Sequence, residues 1–233
     1  MASNSEVTYG ARLNNAKAVT THLRSFTNYA PPKPDQTADS LEAVTTAARA
    51  SNTQLAGNIQ LYSQAVDNRQ GFFKKDPDSL EKIMSPIAAT VRSAYGKDSK
   101  DMADITRYVN KIRGEKPTKD KKDPTEDSVS QSAKSYGSVT ENFSDMIATL
   151  QKLPDYKPAN KDLESAALTT KLAVLEQANE AVTAAFGFVK QERDDRNKLF
   201  DQLNALVQRI KSAVLAQYGL KSTEYALIKG LKV

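Results

Sequence analysis

Residues 168–200 read LTTKLAVLEQANEAVTAAFGFVKQERDDRNKLF. Leu168, Leu172, Leu175, Asn179, Val182, Phe186, Val189, Arg193, Arg196 and Phe200 recur in alternating steps of four and three. That spacing keeps one stripe on one face and predicts a long helix with a coiled-coil-like seam. Residues 41–73 read LEAVTTAARASNTQLAGNIQLYSQAVDNRQGFF and repeat the pattern. The positions there are Leu41, Thr45, Ala48, Asn52, Leu55, Ile59, Tyr62, Val66, Arg69 and Phe73.

Working outward, an offset of 127 residues pairs Tyr29 with Tyr156, Pro31 with Pro158, Asp35 with Asp162 and Leu41 with Leu168. It also pairs Asn52 with Asn179, Arg69 with Arg196 and Phe73 with Phe200. The offset then falls to 123, because the first stretch carries four extra residues around Lys75-Asp76-Pro77-Asp78. The matches resume with Leu80 and Leu203, Ile87 and Ile210, Val91 and Val214, Tyr95-Gly96 and Tyr218-Gly219, Ser99 and Ser222. Heptad helices align with one another by default, but Tyr-x-Pro and Tyr-Gly-x-x-Ser are not heptad features. The expectation is an all-α protein, a tandem duplication of a three-to-four-helix unit. Unit boundaries are expected at 11–113 and 133–233. A charged, Pro-containing linker is expected over 114–132, and a loose tail over 1–10.

Each expected copy punctuates itself. Helix 1 carries Ala16, Val19, Leu23 and Phe26 in the first copy, and Tyr136, Val139, Phe143, Met146, Leu150 and Leu153 in the second. Pro31-Pro32-Lys33-Pro34 and Pro154 to Pro158 read as connectors, since Pro removes a backbone donor and restricts its predecessor. Asp35 and Asp162 suit the start of helix 2. Gly96 and Gly219 suit a left-handed residue closing helix 3. Ser99 and Ser222 suit N-caps of a short fourth helix. In the second copy the stripe runs on in phase through Leu203, Val207, Ile210 and Val214. The polar run Gln191–Asn197 is therefore either a tight turn or the middle of one helix of about 58 residues. The turn is favoured, because the first copy has Asp76-Pro77 at the equivalent place.

Composition excludes several chemistries. The 233 residues contain no Cys and one His. A disulfide framework, a thiolate metal site and a two-histidine metal site are out. His22 lacks a second ligand in register. No phosphate-cradling glycine loop or nucleophile elbow is present. No cofactor is expected, and no enzymatic activity. No apolar run reaches the ~18 residues of a membrane-spanning helix. The N-terminus lacks a secretory pattern, so a cytoplasmic location is expected. The net charge of +5 is spread thinly and interleaved with acids; it reads as a solvated helical surface rather than a phosphate-binding stripe.

Nine positions stand out. Asn52 and Asn179 lie on the apolar seam, where a lone polar residue fixes register; a ligand contact is the alternative. Arg69 and Arg196 also lie on the seam, four residues before Phe73 and Phe200. An inward Arg needs a carboxylate or carbonyl partner, and Asp67, Asp194 and Asp195 are near in sequence; the favoured reading is an Arg that snorkels or anchors the turn, with an anion or carboxylate-ligand site as the alternative. Tyr95, Tyr218 and Tyr225 fall at helix ends, where Tyr buries area with its polar tip wet.

The residues Arg196-Asn197, Tyr218-Gly219, Ser222-x-Glu224-Tyr225 and the ending Ile228-Lys229-Gly230-Leu231-Lys232-Val233 resemble the C-terminal end of a group of uncharacterised bacterial helical proteins. The match covers residues 196–233. It implies a bacterial, cytoplasmic origin and carries no activity, cofactor or catalytic residue. The first stretch departs from it, with Met102 where Tyr225 stands. The reading is a structural or interaction protein whose partner is a protein, including a second copy of itself. Behind it stand a basic helical nucleic-acid binder, a membrane-active helical protein, and an enzyme acting in a bundle core.

Overall fold

The structure, a computed structural model, describes residues 8–114 and 135–233. Seven α-helices and no strand occur among the described residues: α1 (Tyr9–Ser25), α2 (Ala38–Gln70), α3 (Leu80–Tyr95), α4 (Lys100–Arg113), α5 (Tyr136–Leu150), α6 (Ser165–Tyr218) and α7 (Thr223–Ile228). The fold is all-α. Residues 1–7 of the expected tail and 115–132 of the expected linker lie outside the described residues.

Thr8 to Gly10 are not tail. The Thr8 hydroxyl accepts the Ala11 N–H and caps α1, which begins at Tyr9. The starts of α2 and α6 also differ from expectation. Asp35 and Asp162 sit in short 3-10 turns, Pro34–Gln36 and Lys161–Leu163, and the α-helices begin just beyond them. Thr37, not Asp35, supplies the side-chain cap, accepting the Ser40 N–H at 3.2 Å. Pro31, Pro32 and Pro34 hold the chain extended up to that point.

Helix α6 is continuous through Gln191–Asn197, so no turn forms there. Nothing between residues 191 and 203 removes a backbone donor. The polar residues Gln191, Arg193, Asp194 and Asn197 face water, and Asp195 pairs with Lys198 one turn on. The other chain stretch does break. Helix α2 ends at Gln70 and continues as a π turn, Gly71–Lys75, closed by the Asp76 N–H to the Gly71 carbonyl at 3.1 Å. A Cβ on Gly71 would stand 2.9 Å from the Asp76 carboxylate, so a larger residue there would make that side chain move. Pro77 has no N–H to continue the ladder, and α3 restarts at Leu80. The four extra residues amount to about one helical turn, so the stripe stays in phase on both sides of the break.

The N-caps of the two short helices α4 and α7 are as read. Ser99 and Ser222 accept the Met102 and Tyr225 N–H groups, each at 3.1 Å. Gly96 and Gly219 close α3 and α6 with φ of 87° and 89°. Gly96 has ψ 162°, an extended region open essentially to glycine alone, rather than the left-handed helical one expected.

The chain packs into two compact units that do not coincide with the stretches 11–113 and 133–233. The first joins residues up to Leu61 with Phe186–Val233. Its core sets Leu13, Val19, Leu23, Leu41 and Ala48 against Phe200, Leu203, Val207, Ile210 and Val214. The second is Tyr62–Ala185. There Phe73, Met84, Ile87, Val91 and Ile105 meet Phe143, Met146, Leu150, Leu168 and Leu175. Each core thus takes helix 1 and the start of helix 2 from one stretch, and helices 3 and 4 from the other. Helix α7 packs on α1, and α4 packs on α5.

Candidate functional site

Arg69 and Arg196 lie on the seam, half-buried, and among the described residues no carboxylate receives them. In the second unit the Arg69 guanidinium carbon lies 3.9 Å from the centroid of the Tyr136 ring. In the first unit Arg196 lies 3.9 Å from the centroid of Tyr9. Each tyrosine also meets a buried phenylalanine edge to face: Tyr136 with Phe73 at 4.8 Å, and Tyr9 with Phe200 at 4.6 Å. A ring face carries negative charge density and stabilises a cation that has lost water. The nearby acids serve other cations, Asp67 facing Lys75 at 3.9 Å and Asp195 bonding Lys198 at 3.1 Å. The Nε atoms of both arginines are buried and have no hydrogen-bond partner among the described residues.

Tyr9 stood inside the expected tail, and its place over Arg196 is what reading the sequence missed. It lies 127 residues before Tyr136, so the offset itself was the available signal. The first unit adds two contacts. The Tyr9 hydroxyl donates to Asn197 Oδ1 at 2.9 Å. Arg12 reaches over the Phe200 ring, 4.8 Å from its centroid, and donates to the Phe200 carbonyl at 3.0 Å. The residue at the offset from Arg12 is Val139, and beside it the second unit holds a cavity of about 220 Å³. Phe73, Leu80, Ile112, Tyr136 and Val139 form its apolar wall; Lys74, Glu81 and Arg113 also line it.

Asn52 and Asn179 are half-buried, one in each unit. Asn179 Oδ1 is buried without a hydrogen-bond partner among the described residues. Not every seam position is covered: Ile59 and Phe186, both expected on it, are exposed, as is Arg193.

The tyrosines at the helix ends tie the connectors down. The Tyr95 hydroxyl accepts the Asp155 N–H at 2.8 Å, and the Tyr218 hydroxyl donates to the Thr27 carbonyl at 2.8 Å. Tyr29 donates to the Gln36 carbonyl at 3.1 Å and Tyr156 to the Leu163 carbonyl at 2.8 Å. Burial pushes the hydroxyl pKa of both up to about 12; at Tyr29, Tyr218 adds to it. Tyr225 packs against the first core, where Ile228 and Val233 of the C-terminal ending are buried. Lys211, its charge disfavoured by burial, donates to the Leu231 carbonyl at 2.6 Å and holds that ending in place.

Among the described residues no group of three His, Asp or Glu is placed to hold a metal ion, and no helix is long and apolar enough to cross a membrane. No protein-family model, curated protein or solved structure matches the chain.

Proposed function

We propose that the protein is a non-enzymatic helical interaction protein whose partner is a second copy of itself. One observation carries this reading. Large apolar side chains are exposed in the middle of both long helices at positions 127 residues apart: Ile59 (46%) with Phe186 (54%), and Leu61 (59%) with Phe188 (62%). Apolar side chains of this size gain free energy when a partner covers them, about 25 cal/mol per Å². Light scattering and native mass spectrometry of the full chain across micromolar concentrations test it. The expected result is a concentration-dependent dimer or higher species that Leu61→Asp and Phe188→Asp abolish without loss of helicity. A strict monomer at every concentration overturns it.

The tandem-repeat reading belongs with this proposal. It is supported by Arg–Tyr–Phe clusters of matching geometry, by connectors clamped at matching tyrosines and by Ser caps at matching places. On this reading the two copies complete each other: helices 3 and 4 of each close on helix 1 of the other. The bacterial, cytoplasmic setting rests on the C-terminal resemblance.

A further inference from the structure

The cavity in the second unit has an internal reference, its counterpart in the first. There Arg12 fills the space beside Tyr9 and Phe200, and the residue following Phe200 is an acid, Asp201. In the second unit both members of that pair change character. Val139 replaces the arginine and leaves the space open, and Lys74 replaces the aspartate. Arg113 brings a second cation to the lining, its guanidinium steadied by a 2.6 Å bond to Ser85 Oγ. Arg69, stacked on the Tyr136 wall, is a third cation close by. Glu81 is the one acid among the lining residues. The result is a hollow with one apolar wall and a polar border of excess positive charge. An apolar cavity of about 150 Å³ accepts benzene, so about 220 Å³ accommodates a phenyl ring with a short alkyl chain.

We infer that this cavity binds an amphipathic anion, with an aromatic or branched apolar group against Phe73, Leu80, Ile112, Tyr136 and Val139 and a carboxylate facing Lys74 and Arg113. Burial of the ring supplies the affinity, and the carboxylate gains charge-assisted hydrogen bonds at the mouth. The first unit cannot bind the same ligand, because Arg12 already occupies the place. This site does not depend on self-association.

The test is a set of NMR titrations of the full chain with 3-phenylpropanoate, and with 3-phenylpropylammonium as a ligand of the same body and opposite charge. The expected result is saturable shifts confined to the amides around Phe73–Glu81, Ile112–Gly114 and Tyr136–Val139, with the anion bound at least roughly tenfold more tightly than the ammonium. Val139→Arg, which places in the second unit the residue that fills the first, removes binding. Lys74→Asp leaves the fold untouched, because Lys74 is exposed, and weakens the anion roughly tenfold, the effect of reversing one nearby charge at a wet surface. Equal or tighter binding of the ammonium, shifts scattered over surface lysines, or full binding by the Lys74→Asp protein each overturns the assignment.

Discussion

The two units stack Arg, Tyr and Phe to within a few tenths of an ångström of each other, yet they finish differently around that stack. The first fills the adjoining space with Arg12 and covers its core with the six-residue α7 and a buried C-terminal Val233. The second leaves the space open, covers its core with the fourteen-residue α4, and enters α3 through a π turn instead of an unbroken helix. Some buried positions carry the same residue in both, Leu41 and Leu168, Phe73 and Phe200, Ile87 and Ile210, while others differ in size, Ala16 against Phe143 and Ala48 against Leu175, each core packing in its own way. Around the stack the residues differ in charge as well: Arg12 and Asp201 stand in the first unit where Val139 and Lys74 stand in the second.

The sharpest way to break this comparison is to remove one buried ring from each unit. Phe143 and Phe200 are each about 1% exposed or less. Phe143→Ala and Phe200→Ala should each cost about 3–5 kcal/mol. Hydrogen exchange should then localise the damage. Phe143→Ala should release α3, α4 and α5 while α1 and α7 stay protected, and Phe200→Ala should do the reverse. Loss of protection following the sequence halves, α1 to α4 or α5 to α7, would show that the units are not built across them.

A smaller effect is expected at the stacked arginines. Arg69→Met and Arg196→Met keep the length of the stem and remove the cation from the ring. Each should lower stability by about 1 kcal/mol, the scale of a partly desolvated cation–π contact, and the two should agree within about 0.5 kcal/mol. Denaturant midpoints measure both; a silent substitution in one unit would make the two stacks inequivalent.

Smallest is the alkaline response of the connectors. Tyr29 and Tyr156 are neutral in the fold, and their pKa is raised from the ordinary value near 10 to about 12. A raised value means the folded state holds its proton more tightly than the unfolded chain. The stability this confers is therefore full below pH ~10 and is lost as pH climbs from ~10 through ~12. Absorbance at alkaline pH should show Tyr29 and Tyr156 ionising late, with Tyr218 also held above its ordinary value by burial and by Glu224, and thermal midpoints should fall as pH climbs through that range. Tyr29→Phe and Tyr156→Phe should each remove one late-ionising group, to the same extent in both units.

Much of this was legible in the residues. The steps of four and three from Leu41 and Leu168 announced the two long helices, because a stripe of that period can be buried only by a helix. Ser99, Ser222, Gly96 and Gly219 marked helix ends, since capping and positive φ are local demands. Gln191–Asn197 misled, because a polar run looks the same whether the chain turns or simply faces water. Asp35 and Asp162 misled by three residues, within a 3-10 turn. The cavity was not legible at all: Val139 reads as one more stripe residue until Arg12 is seen filling the same place elsewhere.

Local sequence decided which segments are helical, where they begin and stop, and which face of each is apolar, because those depend on backbone donors, caps and period. It did not decide which stripe meets which. A greasy stripe is indifferent to its partner, and only packing in three dimensions assigned α3 and α4 to α5, α7 to α1, and the inward arginines to tyrosine rings instead of the acids beside them in the chain.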